Sequence, residues 1–393
     1  MNKIVFISRK YCRGEAWCNR LLAYAKGFQR QGVDVELLFL MSNEQSKSAS
    51  DDFEDLTVRY ISEFSDRDNL LKKIVLYTKA VLTSSLFFNS GDILITSDGG
   101  GLFLPLLFLR RKKNYTFTEI TEHPLVLDGS MYVSGIFGII KRRLRHFSVS
   151  LENLLIRKNT GIFAISDSLC NYFLSHEISS DKICKVNMFV DTKRFDIVEE
   201  TTDPYIAYCG TMSYDKDGVD ILIKAFSLFL SDAPKYKLYL IGPYINKQTQ
   251  EQTEELIRTL KLEKSVVVTG KVAPIQMPRL LKNARILALA RPDNLQNRNG
   301  FPTKLGEYLA TGNPVVVTSI GEIPNFLKDE ENAFMATPGN VQSFADALKR
   351  AYNNSEKAIA IGRNGRHLAL TAFSSEEQTK VALNFIKTKI NKK

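Results

Sequence analysis

Short apolar runs alternate with helix-length segments from the start of the chain. KIVFIS (Lys3 to Ser8) leads into Ala16 to Arg30, which closes at Gly32, and then into VDVELLFL (Val33 to Leu40). This is the opening of a βαβ unit. DILITS (Asp92 to Ser97), an apolar helix from about Gly101, YTFTEIT (Tyr115 to Thr121), a long helix through Lys141 to Lys158, GIFAIS (Gly161 to Ser166) and KICKVNMF (Lys182 to Phe189) continue the alternation. Near-continuous apolar strands separated by helices predict a parallel sheet covered on both faces.

The texture changes at DIVEETTDP (Asp196 to Pro204), an acidic, turn-rich stretch that reads as an interdomain linker. A second alternating set follows: YIAYC (Tyr205 to Cys209), KLYLI (Lys237 to Ile241), SVVVT (Ser265 to Thr269), ARILALA (Ala284 to Ala290), VVVT (Val315 to Thr318) and AFMAT (Ala333 to Thr337). The prediction is an α/β protein of two doubly wound, Rossmann-like domains facing a cleft, with ligands beyond the carboxyl ends of the strands. The expected domains are 1–195, 196–372 and a terminal helix in 373–393 that packs on either domain.

Composition narrows this only where it excludes something. With 44% hydrophobic and 24% charged residues, disorder and fibrous repeats are out. Lys and Arg exceed Asp and Glu by 53 to 43, a formal charge of +10 that favours polyanionic partners. The five cysteines are scattered and read as reduced thiols of a cytoplasmic protein, and the four histidines show no metal-binding spacing, so no metal is expected. No leader pattern opens the chain, and LFLPLLFL (Leu102 to Leu109) is far shorter than the roughly 20 residues of a membrane span.

The candidate chemistry concentrates in Arg291 to Thr318, RPDNLQNRNGFPTKLGEYLATGNPVVVT. Gly300 supplies a turn, Pro302 suits the first helical position and Gly312 ends the helix before the next strand. The free N–H groups at Phe301 to Thr303 then form a place for a phosphate. Lys304 and Glu307 share a helix face: a cation for a diphosphate beside a carboxylate for two adjacent hydroxyls is the makeup of a nucleotide-sugar site. The same spacing also describes an ordinary surface ion pair.

Gly300 to Thr318 is similar to the donor-binding motif of retaining glycosyltransferases of family 4, which have the GT-B fold, with EYLATGNPVVVT matching almost throughout. In that family two glutamates lie eight positions apart. Glu307 matches the one that binds the donor ribose, while Asn299 stands where the other contacts the donor sugar. Tyr208-Cys209-Gly210 and Lys216-Asp217-Gly218-Val219-Asp220 resemble the family's first strand and loop of the donor domain. There an Arg after the Gly and a Lys further on hold the diphosphate. Lys216 matches the Lys, and Thr211 replaces the Arg, with Lys304, Arg291 and Arg298 as substitutes. Ser166-Asp167-Ser168 and Val190 to Phe195 resemble the family's strand-to-helix turn and its crossover into the second domain. His123, with Glu122 beside it, falls where many members carry a cleft histidine against the donor sugar; a structural histidine is the competing reading. Gly14, in SRKYCRGEAW (Ser8 to Trp17), falls in the loop that approaches donor and acceptor, where a plain βα turn is the alternative. The resemblance runs from about Gly161 to Phe373.

A basic, apolar stripe stands apart from the motif, in LFLPLLFLRRKK (Leu102 to Lys113) and GIFGIIKRRLRHF (Gly135 to Phe147). Between 101 and 160 ten Lys and Arg face four acids. Helices of this kind rest on an anionic leaflet or pack inward with solvated basic ends.

The resemblance implies a retaining enzyme that moves a sugar from a UDP- or GDP-sugar to a hydroxyl of a glycan or lipid-linked oligosaccharide in cell-surface polysaccharide synthesis. It implies an N-terminal acceptor domain, a C-terminal donor domain and no bound metal. The expected catalytic residues are Lys216, Lys304, His123 and Glu122. The expected donor contacts are Gly14, Gly210, Thr211, Arg291, Asn299, Gly300, Phe301, Pro302, Thr303 and Glu307. The alternatives are a sugar-nucleotide epimerase and a catalytically altered partner subunit, the latter prompted by Asn299 and Thr211. A nucleic-acid-binding role finds no motif.

Overall fold

The structure is a computed structural model and describes residues 3–47, 50–65, 67–96, 114–126, 135–198 and 204–391. The helix expected from Gly101 and the stripe Leu102 to Lys113 lie outside the described residues. The chain forms two compact units, one of Met1–Asn187 with Ser375–Lys393 and one of Met188–Ser374.

In the first unit, β1 (Ile4–Ser8), β2 (Val35–Ser42), β3 (Thr57–Glu63), β4 (Ile93–Thr96), β5 (Tyr115–Ile120), β6 (Gly161–Ala164) and β7 (Ile183–Lys185) form a sheet of order β3-β2-β1-β4-β5-β6-β7. In the second, β8 (Tyr205–Cys209), β9 (Lys237–Ile241), β10 (Val266–Gly270), β11 (Ile286–Leu289), β12 (Val315–Thr318) and β13 (Phe334–Ala336) take the order β10-β9-β8-β11-β12-β13. Every pairing is parallel. Strand order reverses beside β1 and beside β8, so the loops after these two strands open at the switch points where such sheets hold ligands. The central strands are buried on both faces, as their unbroken apolar runs require.

Two expectations are corrected. KICKVNMF is a strand only over Ile183–Lys185. The chain then leaves the first unit eight residues before the expected boundary at 195. Val190 pairs with Ser374, its N–H donates to Phe373 O at 3.0 Å, and Phe195 is fully buried, so 188–195 belongs to the second unit. The exit is anchored by Arg20, which donates to Glu119 at 2.6 Å and to the carbonyls of Val186 and Asn187 at 3.2 and 2.9 Å.

The helix Ser375–Ile390 packs on the first unit. Thr379 Oγ1 accepts from Gln31 at 2.8 Å, and Phe385 meets the rings of Phe117 and Phe163 edge-on.

The long helix spans Gly135–Ile156 and carries an unusual outer face. Val149, Leu155 and Ile156 are buried, yet Ile140, Leu144, Phe147, Leu151 and Leu154 are 44–72% exposed. Their spacing of four, three, four and three residues places them on one stripe. No acid occurs between Gly135 and Leu151, whereas Lys141 and Arg143 are exposed beside the stripe. The helix Leu70–Thr83 similarly leaves Leu70, Leu71, Val75 and Leu82 exposed.

Candidate active site

The second unit gathers charge beyond the carboxyl ends of β8 and β11. After β8 the chain turns through Gly210 into the one-turn helix Tyr214–Asp217, whose start is capped by Ser213 accepting from the Lys216 N–H at 3.1 Å. Its last residue, Asp217, is 2% exposed and reaches the cluster from this turn. Its carboxylate accepts from Lys304 Nζ at 2.6 Å and Tyr208 Oη at 2.7 Å, and Arg291 Nη2 lies 3.3 Å away. Lys304 also sits over the Tyr208 ring, 4.6 Å from its centroid. A Cβ on Gly210 would come within 2.4 Å of the ammonium, so only glycine lets the strand end approach it this closely.

Two cations thus share one carboxylate. Burial raises the Asp217 carboxyl, but Lys304 and Arg291, together with hydrogen bonds from Lys304 and Tyr208, outweigh it and hold the group at about 2. Lys304 is lowered as well, for a different reason: burial lowers it, Asp217 opposes the shift, and Arg291 adds to it. The carboxylate is lowered by its two cations, whereas the ammonium is lowered by burial, which outweighs the pull of Asp217.

The helix Thr303–Thr311 delivers Lys304 and ends at Gly312 in the left-handed conformation. Its preceding residue, Pro302, caps it with an extended backbone, so the helix begins one residue later than expected. Lys304 and Glu307 do not pair with each other. Glu307 Oε1 accepts from Arg194 at 2.8 Å, a partner from the 188–195 segment that spacing along the chain gives no means of finding. That segment lies against the same helix, where a Cβ on Gly306 would meet Met188 Sδ at 2.9 Å. Tyr308 ties the helix to β8 by accepting from the Cys209 N–H at 2.7 Å.

Other expected residues stand differently. Gly300 has φ −95°, open to any residue, and its use is space: a Cβ there would lie 3.1 Å from Gln296 O. The Phe301 ring stacks on Phe326 at 5.5 Å and meets Phe373 edge-on, so it is core, with its backbone alone at the helix start. Asn299 donates to Leu295 O at 2.8 Å. Arg298 is bound to Asp293 in an exposed pair and is absent from the cluster. Thr211 is exposed, and its carbonyl accepts from Tyr208 at 3.0 Å. The Lys216 carbonyl accepts from Asn297 Nδ2 at 3.0 Å, and Asn297 also holds Pro292 O at 2.9 Å; this buried latch between two loops escaped the sequence reading.

In the first unit, His123 is buried, accepts at Nδ1 from the Leu125 N–H at 3.3 Å, and meets Tyr172 edge-on at 4.7 Å. Burial, with a smaller push from His176, lowers it below its ordinary value, so it is neutral at neutral pH. Glu122 beside it is half-buried. Gly14 is exposed in a left-handed turn, in a loop held where Asp52 accepts from Tyr11 and Arg13, each at 2.7 Å. Among the described residues no group of three or more His, Cys, Asp or Glu side chains is arranged to hold a metal, and no described helix is long and apolar enough to cross a membrane.

Residues 189–368 match the family described as Glycosyl transferases group 1. The chain is 23% identical over 288 residues to an MMP alpha-(1->4)-mannosyltransferase of Mycolicibacterium hassiacum, covering 72% of this chain and 68% of that protein. It is 24% identical over 335 residues to the capsular polysaccharide biosynthesis glycosyltransferase CapM of Staphylococcus aureus, covering 81% and 80%. In fold it is similar to Anabaena Alr3699/HepE, solved in complex with UDP and glucose. That structure aligns with a TM-score of 0.76 at 15% identity, over 99% of this chain and 100% of that one.

Proposed function

We propose that this chain, a glycosyltransferase whose residues 189–368 match the group 1 family, transfers a sugar with retention from a UDP- or GDP-sugar to a hydroxyl of a glycan, one carried on a lipid, in surface polysaccharide synthesis. The carrying observation is the excess cation at Asp217, Lys304 and Arg291, one helical turn from Glu307. Lys304, Arg291 and the N–H groups at the start of Thr303–Thr311 take the diphosphate, and Glu307, oriented by Arg194, accepts the ribose hydroxyls. The bond from the anomeric carbon to the phosphate oxygen breaks as the acceptor oxygen bonds to that carbon on the same face. The acceptor proton passes to the departing phosphate oxygen, so no separate base is needed. Side-chain cations meet the charge of the leaving group, and the reading assigns no metal to the site. The capsular and mannosyl-transferring relatives support a glycan acceptor.

Calorimetric titration with UDP, GDP and ADP tests the site. One diphosphate is expected to bind, and Glu307→Ala to weaken it by about 10- to 100-fold, the cost of hydrogen bonds to a charged group. Binding of none of the three overturns the donor site and favours the partner-subunit reading.

The lipid-borne acceptor draws its support from the helix Gly135–Ile156. An apolar stripe flanked by cations, with no acid before the buried Glu152, has the chemistry that complements an anionic bilayer surface. Vesicles containing phosphatidylglycerol are expected to sediment the protein where phosphatidylcholine vesicles do not. Leu144→Ser with Phe147→Ser should lower the partition at least tenfold, since burying each such side chain is worth about 1.5–3 kcal/mol. Equal partition of variant and wild type would remove this face from the reading.

A further inference from the structure

Asp217 enters the cluster of cations as a carboxylate, and an acid is an odd neighbour for a diphosphate. It is buried, fully ionised, and bonded at once to Lys304 and Tyr208. It draws in three elements: β8 through Tyr208, the end of β11 through Arg291, and the helix Thr303–Thr311 through Lys304. Without it the two cations repel, and Lys304, on a flexible four-carbon stem, has no carboxylate to hold it in place. With it the ammonium is fixed above Gly210, and the cluster keeps a net charge of about one positive unit. Arg291 Nε is buried and has no hydrogen-bond partner among the described residues, so the guanidinium is not saturated by the protein.

Resting on the donor-site reading above, we infer that Asp217 is the positioning residue of the phosphate subsite: it orients Lys304 and Arg291 toward the diphosphate without touching it. Tyr208 fixes the carboxylate in turn. The carboxylate also favours the charged ammonium. The groups facing Lys304 are Asp217 on the Tyr214–Asp217 turn, Arg291 after β11, and Cys209 and Tyr208 on β8. Asp217 is the chief group holding its proton on, against burial and Arg291.

The test is calorimetry of the full chain with UDP and with uridine, or GDP and guanosine should the wild type prefer that base, across pH 6 to 10. Asp217→Asn is expected to weaken the diphosphate about tenfold, leave the nucleoside unchanged, and move the alkaline loss of diphosphate affinity to lower pH. In the Lys304→Ala background the same change should have a clearly smaller effect, because one of the two groups being positioned is gone and Arg291 alone is left. Tyr208→Phe, which keeps charge and shape, should show the same phosphate-selective loss at smaller size, and it stands in if Asp217→Asn does not fold. Equal weakening of nucleoside and diphosphate, an unmoved alkaline limb, or full additivity with Lys304→Ala would overturn the inference. A wild type that binds the diphosphate no better than the nucleoside overturns the donor-site reading itself.

Discussion

Lys304→Ala is expected to lower turnover by about 100- to 1000-fold, the loss seen when one preorganised group facing a developing charge is removed. As the donor's glycosidic bond breaks, a full negative charge gathers on the diphosphate, and the group best placed for it is an ammonium whose own counterion is shared with Arg291. The fold should survive the change. Asp217 keeps Arg291 and the Tyr208 hydroxyl, and the helix remains tied to β8 through Tyr308. Nucleoside diphosphate release from the donor sugar measures the effect, with Lys282→Ala as the control. Lys282 donates from Nζ to Thr311 O at the other end of the same helix, so it reports damage to the helix without damage to the cluster. Equal losses in the two variants would place the effect in the helix and remove Lys304 from catalysis.

The architecture was legible because it is written in periodicity. A strand buried on both faces has no polar face to interrupt it, and VVVT, YIAYC and KIVFIS announce themselves for that reason. The edge strand β3, TVRYISE, is partly exposed along its length and has no such run, and it went unread. The site was legible where one segment carries it: Lys304, Glu307 and Gly312 lie on one short helix between two readable signals. It was illegible where the partner comes from elsewhere in the chain. Arg194 is 113 positions from Glu307, and Asp217 is 87 from Lys304. The reading along the chain chose Lys216 over its neighbour because a cation was sought at that turn. The fold also brings a cation from the helix to this turn and places an acid beneath it. A single sequence shows which charges exist, while pairing depends on which loops the sheet order brings together.

The same convergence of loops makes Gly218 the position where fold and site fail together. It caps the Tyr214–Asp217 turn at φ +63°, and a Cβ there would lie 2.0 Å from the carbonyl oxygen of Ala290, the residue before Arg291. The left-handed conformation alone costs a non-glycine residue about 1–2 kcal/mol. The overlap adds to this, because the obstacle is backbone and no rotamer relieves it. Gly218→Ala is therefore expected to cost about 4 kcal/mol or more, at the far end of the range for single substitutions, and to lower the melting temperature by about 10 °C. Gly339→Ala is the matched control: it too has positive φ, at +75°, but nothing lies within 4 Å of its Cβ, so it should cost only the backbone term. The overlap pushes apart the two segments that carry Asp217 and Arg291. Diphosphate affinity in Gly218→Ala should therefore fall even well below the melting transition, whereas Gly339→Ala should bind as the wild type does. Thermal melts and calorimetry on the two variants separate the contributions, and a Gly218→Ala protein that melts and binds like the control would mean that the turn and the end of β11 are not packed as described.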